Sequence, residues 1–331
     1  MKNTTTRRLA LSALGLSALP MSMFAHAQGA PKSPLNLLAG NKGSTSAMYP
    51  HFFKTSLVNV SQLDINYISS APGQMQLQLL SGALHVSGYG ALGIAEANLK
   101  DADIQMFAPL NLSHASWIVR GDSPYRSLQD LKGKRVATLP INTDTVRQAE
   151  LTCALHGLDL KKDFQLSYGP ALVSMALFER GDVDAIIAIE PNSTRLIAKG
   201  AREIAKVRDL WSSATKQDTL FLVGHAARKS WLDKNPEAAR IVAKAYLDVN
   251  RAIIRDPAIV KAPQYLEALG IPASETAAID MLPRRIADVT AAKWDASVFR
   301  NLELQLDLGL KHGLISAKPP APIYNDQILK S

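Results

Sequence analysis

The chain has 331 residues, 47% of them hydrophobic and 20% charged, enough apolar material for a large packed core and incompatible with a disordered or collagen-like polymer. Its net charge of +8 is dispersed, with no long Lys/Arg run and no aromatic-basic motif, so no nucleic-acid partner is expected. Cys153 is the single cysteine, which excludes an intrachain disulfide, and its helical setting in ELTCALHGL reads as a buried structural thiol.

Lys2, Arg7 and Arg8 open the chain, a mostly apolar run covers 9–24, and Ala25-His26-Ala27 has the small-x-small form of a signal-peptidase site. The run is interrupted by Pro20 and is too short for a membrane span. We expect residues 1–27 to be a signal peptide cleaved near Ala27, leaving a periplasmic chain whose net charge falls from +8 to +5. No cysteine follows the cleavage point to carry a lipid, and Arg7-Arg8 leaves both general and twin-arginine export open.

Strands and helices then alternate. SPLNLLAG reads as a strand ending at Gly40, a polar loop over 41–46 opens a helix over 47–55, and LDINYIS is the next strand. A helix over 73–80, the strand ALHVS, a helix over 91–99 and the strand DIQMFAPL follow. SHASWIVR is extended and leads to the turn-rich Gly121-Asp122-Ser123-Pro124. Beyond it come strands over 135–139 and 183–189, with helices over 143–157 and 171–180. DTLFLVGHAARKSWL returns to strand, Pro236 starts a helical region, and a last helix spans 294–310 before a Pro-rich tail. This alternation predicts an α/β fold with mainly parallel sheets covered on both faces.

In open α/β sheets a ligand sits outside the carboxyl ends of the strands, where helix N-termini converge. That rule selects Ser44, Thr45 and Ser46 after the first strand and Gly88, Tyr89 and Gly90 after the third. It adds Asn111, Ser113 and His114 after the fourth, Asn142, Thr143, Asp144 and Thr145 after RVATLPI, and Glu190 at the end of DAIIAIE. Thr143 and Asp144 are also good helix N-cap types, and His114 reads equally as a donor or a solvated loop residue. Gly88-Tyr89-Gly90-Ala91-Leu92-Gly93 satisfies G-x-G-x-x-G, but the next strand ends in Asn111 rather than the acid a dinucleotide ribose needs. The same glycines suit a smaller anion, or a tight turn with no ligand contact. No metal-ligating His/Cys spacing, nucleophile elbow or Walker loop occurs, so neither enzyme activity nor a cofactor or metal is expected.

The phrases SLQDLKGKRVA and FERGDVDAIIAIEP, within residues 123–200, closely resemble the second lobe of periplasmic solute-binding proteins of ABC importers. The branch resembled binds taurine, aliphatic sulfonates, nitrate and thiamine-precursor pyrimidines. The resemblance implies a type II periplasmic binding protein fold: lobe 1 from 28–120 and 213–331, an inserted lobe 2 from 121–212, and a cleft between them closed by a two-segment hinge. It implies a small-molecule ligand, a partner ABC permease with its ATPase, and a monomer. Within it, the 88–90 turn presents backbone N–H groups and Tyr89 a wall, while Glu190 matches an acidic-Pro pair that reaches the ligand or the hinge. The acids favour a taurine-like zwitterion; a pyrimidine binder, or a sensor for a signalling partner, is the alternative. Pro50 and the polar stretch 111–116 depart from the family pattern.

Overall fold

The computed structural model describes residues 34–330; the expected signal peptide and its cleavage point lie outside them. The chain begins with β1 (Leu35–Gly40), and a 3-10 turn (Thr45–Met48) then leads into the short α1 (Tyr49–Phe52). Pro50 explains why the expected helix over 47–55 starts this way: without an N–H, proline is tolerated only in a first turn. Next come β2 (Ile65–Ser70), α2 (Gln74–Ser81), β3 (Ser87–Tyr89), α3 (Ala91–Asn98) and β4 (Ile104–Leu112). The central stretch holds β5 (Ser116–Val119), β6 (Arg135–Thr138), α4 (Asp144–Leu155), β7 (Gln165–Tyr168), α5 (Ala171–Arg180), β8 (Ala185–Ala188), α6 (Asn192–Ala198), β9 (Arg202–Lys206) and α7 (Val207–Thr215). β10 (Phe221–Arg228) precedes a helical remainder: α8 (Lys229–Lys234), α9 (Pro236–Arg255), α10 (Pro263–Ala268), α11 (Thr276–Val289) and α12 (Ala296–Lys311).

The strands form two assemblies of the same order. In the first, β2 pairs parallel with β1, a single parallel bridge from Leu37 to Val86 reaches the segment entering β3, and β10 lies antiparallel between β3 and β4. In the second the order is β7-β6-β8-β5-β9, with β6 parallel to β7 and β8 and β5 antiparallel to β8 and β9. The sheets are therefore mixed, not mainly parallel as the alternation predicts. The reason is connectivity. β4 closes its part of the first assembly, and the short link from Leu112 to Ser116 carries the chain straight into the second. β5 and β10 each arrive directly from the other assembly and enter reversed.

Burial follows these layers. α9 lays Ala239, Val242, Tyr246, Val249 and Ile253, spaced three and four apart, against β1 and β4 side chains such as Leu37 and Phe107. Asn250 on the same face is fully buried; its Oδ1 accepts the Tyr49 hydroxyl at 2.6 Å and its Nδ2 donates to the Ala291 carbonyl at 2.7 Å. A second apolar cluster runs from Leu92 and Ile94 on α3 through Trp117 on β5 to Leu151 on α4 and Trp211 on α7. Cys153 lies in that cluster, and burial pushes its thiol up to about 12, which keeps it protonated and unreactive.

Candidate binding cleft

The carboxyl ends of β1, β4 and β6 meet around a small cavity of about 50 Å³. Ser44, Thr45 and Ser46 reach it from the turn after β1, and Asn111 and His114 from the end of β4 and the link to β5. Thr143, Asp144 and Thr145 reach it from the start of α4. Local chemistry fixes each. Thr143 caps α4, donating its hydroxyl to the Pro140 carbonyl at 2.8 Å and accepting the Val146 N–H. Asn111 Nδ2 donates to Thr45 Oγ1 at 3.0 Å, which turns the Thr45 hydroxyl hydrogen toward other acceptors. The N–H groups of Asp144 and Thr145, in the first turn of α4, have no carbonyl of their own helix to bond.

Among the described residues no Lys or Arg lines this cavity, and its only ionisable side chains are Asp144 and His114. Burial pushes the Asp144 carboxyl above the usual carboxylate range, with the Arg147 guanidinium opposing it. His114 is held down to about 4 by burial, so it is neutral at neutral pH, and its Nδ1 has no hydrogen-bond partner. Gln76, which sequence reasoning missed, completes the polar wall. Its Oε1 accepts the Gly73 N–H at 2.8 Å and its Nε2 donates to Asp144 Oδ2 at 3.2 Å.

An outer chamber of about 110 Å³ adjoins the cavity through Ser44, Pro72 and Ile189. Leu139, Pro140, Pro170 and Leu172 line one side of it, and Ala71, Gln74 and Lys42 the other. Leu139, Pro140 and Pro170 sit on loops and Leu172 in the first turn of α5, none with a polar signature, so sequence patterning does not select them. Leu38, Met75, Leu110, Leu222 and Val223 complete the inner wall, so both chambers of this slot are largely apolar, with the hydroxyls and the Thr143–Thr145 turn set into the inner one.

The remaining candidates lie elsewhere. Gly88 packs under Leu110 and Met75, and Gly90 abuts the Asp144 carboxylate. Tyr89 turns its ring toward Gly93, outside the cavity lining, and burial raises its hydroxyl far above the usual tyrosine range. Asn142 is occupied in donating to the Gly73 carbonyl at 3.1 Å. Ser113 and Glu190 line a different recess of about 420 Å³, bounded by α11 and sharing only His114 with the cavity. Glu190 is engaged there: Oε1 accepts Arg285 Nε at 2.7 Å and Oε2 accepts the Thr194 hydroxyl. Among the described residues no cluster of His, Cys, Asp or Glu is arranged to hold a metal ion.

Comparison with known proteins agrees with this architecture. The alkanesulfonate-binding protein SsuA from Xanthomonas axonopodis pv. citri, bound to MOPS, superposes with a TM-score of 0.69 at 20% identity, covering 88% of this chain and 98% of that one. The periplasmic aliphatic sulphonate binding protein SsuA from Escherichia coli gives 0.60 at 19% identity over 87% and 96%. The desulfurization enzyme DSZB gives 0.55 at 13% identity over 86% and 94%, so this fold also serves an enzyme. No curated protein sequence matches the chain. At these identities the solved structures establish the type II periplasmic binding protein fold. A family profile described as "ABC transporter, phosphonate, periplasmic substrate-binding protein" matches residues 61–278, and the chain belongs to that family of ABC-transporter periplasmic substrate-binding proteins.

Proposed function

We propose that the slot captures a small organic oxyanion, a sulfonate in the first instance, with its head group among the Thr143–Thr145 turn and the Ser44–Ser46 hydroxyls and its apolar body in the outer chamber. One observation carries this reading: the first turn of α4 and the Ser44–Ser46 hydroxyls converge on one largely apolar cavity, lined by no Lys or Arg among the described residues, that opens onto a second chamber. Neutral donors and helix N-termini suffice for an anion in such a site. Glu190 and Asp144, the acids that favour a taurine-like zwitterion, already have partners in Arg285 and Gln76, which weighs toward a plain anion. Among the described residues no Phe, Tyr or Trp lines either chamber to stack on a pyrimidine.

The transport role follows from the family. The strand order supports lobes of 34–112 with 221–330, and 116–206, rotating about the β4–β5 link and the return near α7; the first boundary falls ahead of the expected 120/121 because β5 pairs with β8 and β9. Closure brings both halves onto one solute, whose contacts to both favour the closed state. The closed monomer is then the form a membrane permease and its ATPase recognise, and the chain performs no chemistry on its cargo.

Calorimetric titration with butanesulfonate, taurine and methylphosphonate tests the ligand class, with mass spectrometry of the incubated solute testing for turnover. Butanesulfonate should bind tightest, and Thr145→Val should weaken it about ten- to a hundredfold, the worth of one hydrogen bond to a charged group. Preference for taurine would overturn the plain-anion reading, and accumulating product would overturn the carrier role.

A further inference from the structure

The G-x-G-x-x-G turn at 88–93 offers an anion receptor that the slot leaves unused. The anion it faces is the chain's own. Asp144, the first residue of α4, lays its carboxylate against the start of α3 so closely that a Cβ on Gly90 would stand 2.7 Å from its Cγ, and one on Gly93 2.6 Å from its Oδ1. Only glycine at both positions permits that approach. The first-turn N–H groups of α3 have no carbonyl of their own helix to bond, and they carry the positive end of its dipole.

Three further contacts tie the 142–147 turn to α2 and α3. Gln76 on α2 donates to Asp144 Oδ2 at 3.2 Å. Arg147 pairs through its Nε and Nη2 with Glu96 on α3, and its Nη1 stands 3.9 Å from Asp144 Oδ1. Asn142 donates to the Gly73 carbonyl just ahead of α2. All run from the 142–147 turn behind β6 to α2 and α3, across the two halves that the proposed closure brings together. Asp144 is 4% exposed, so in this arrangement water scarcely reaches it.

We propose that Asp144 is an internal ligand: as the halves close, its carboxylate docks on the N-terminus of α3, so that the glycine turn latches the closed form and is withheld from the solute. Asp144 thus acts as a positioning residue. It lowers the cost of closing for any solute, and the solute's identity is read by the hydroxyls and amides beside it.

This inference rests on the proposed closure, and small-angle scattering without solute separates the two. Asp144→Ala should expand the solute-free protein and weaken butanesulfonate binding about tenfold, the scale of a partly buried charge at a helix N-terminus. Formate, which can fill the vacated α3 terminus, should restore compactness and affinity in Asp144→Ala and change neither in the wild type. Gly93→Ala keeps the carboxylate but blocks its seat, so it should expand the protein in a way formate cannot repair. Cooperative melting of each variant separates these effects from misfolding. Wild-type behaviour of Asp144→Asn, or no formate rescue of Asp144→Ala, would refute the latch. If saturating butanesulfonate leaves the scattering of Asp144→Ala in its expanded form although it binds, closure itself fails and the latch with it.

Discussion

Replacing Arg285 by methionine tests how α11 is bolted to the central sheet. The guanidinium donates from Nε to Glu190 Oε1 at 2.7 Å and from Nη2 to Glu203 Oε1 at 2.9 Å, while Ser116 donates to Glu203 at 2.6 Å. The three charged side chains are 18%, 3% and 19% exposed, so the Arg285–Glu190 contact lies largely out of water. Arg285 helps hold the Glu203 carboxyl below the usual range. Methionine keeps the apolar stem and removes the charge, stranding Glu190 with only the Thr194 hydroxyl. Breaking one side of a buried pair costs about 3–5 kcal/mol, and partial exposure with Lys206 at 3.8 Å from Glu203 places this case near 3. Equilibrium urea unfolding reads the loss as a lower midpoint at constant slope. The triple variant Arg285→Met, Glu190→Gln, Glu203→Gln should recover most of it, because the penalty lies in the unpaired carboxylates. A loss under about 1 kcal/mol, or a triple variant less stable than the single, would refute the reasoning.

Asn250→Leu should cost about 2–4 kcal/mol in the same assay, since it leaves the Tyr49 hydroxyl and the Ala291 carbonyl buried without partners. Adding Tyr49→Phe should then cost less than it does alone. Burial holds His225 at about 3 and His114 at about 4, against an ordinary 6.5, so both stay neutral in the folded protein. Below pH 6.5 the unfolded chain takes up protons that the folded chain refuses, and stability falls with pH. Each imidazole should cost about 2 kcal/mol between pH 7 and 5, and His225→Phe should remove its share of that slope.

Much of the fold is legible because local signals coincide with the elements. α5 covers 171–180 as its periodicity predicts, with Gly181 in the left-handed conformation stopping it. β7 and β9 escape notice because QLSY and REIAK are half-exposed and lack a clean apolar alternation. The antiparallel sense of β5 and β10 leaves no mark on residue type, because it depends on which assembly each strand joins. At the candidate cavity, the placement of Ser44, Thr143 and Thr145 follows from strand-end position and capping chemistry, which are local. The engagements of Asp144 and Glu190 are not, because Gln76 and Arg285 are distant in sequence and only packing brings them near.

The strand order also bears on synthesis and export. The second assembly, β5 to β9, is built from one unbroken stretch, 116–206, and can complete itself as soon as that stretch emerges. The first cannot: β3 and β4 share no pairing until β10 inserts between them, after the whole central stretch has passed. An N-terminal fragment ending before 221 therefore exposes two unpaired strand edges, a state prone to association. The inner half should mature first, with the outer half held open as a template until the last strand arrives.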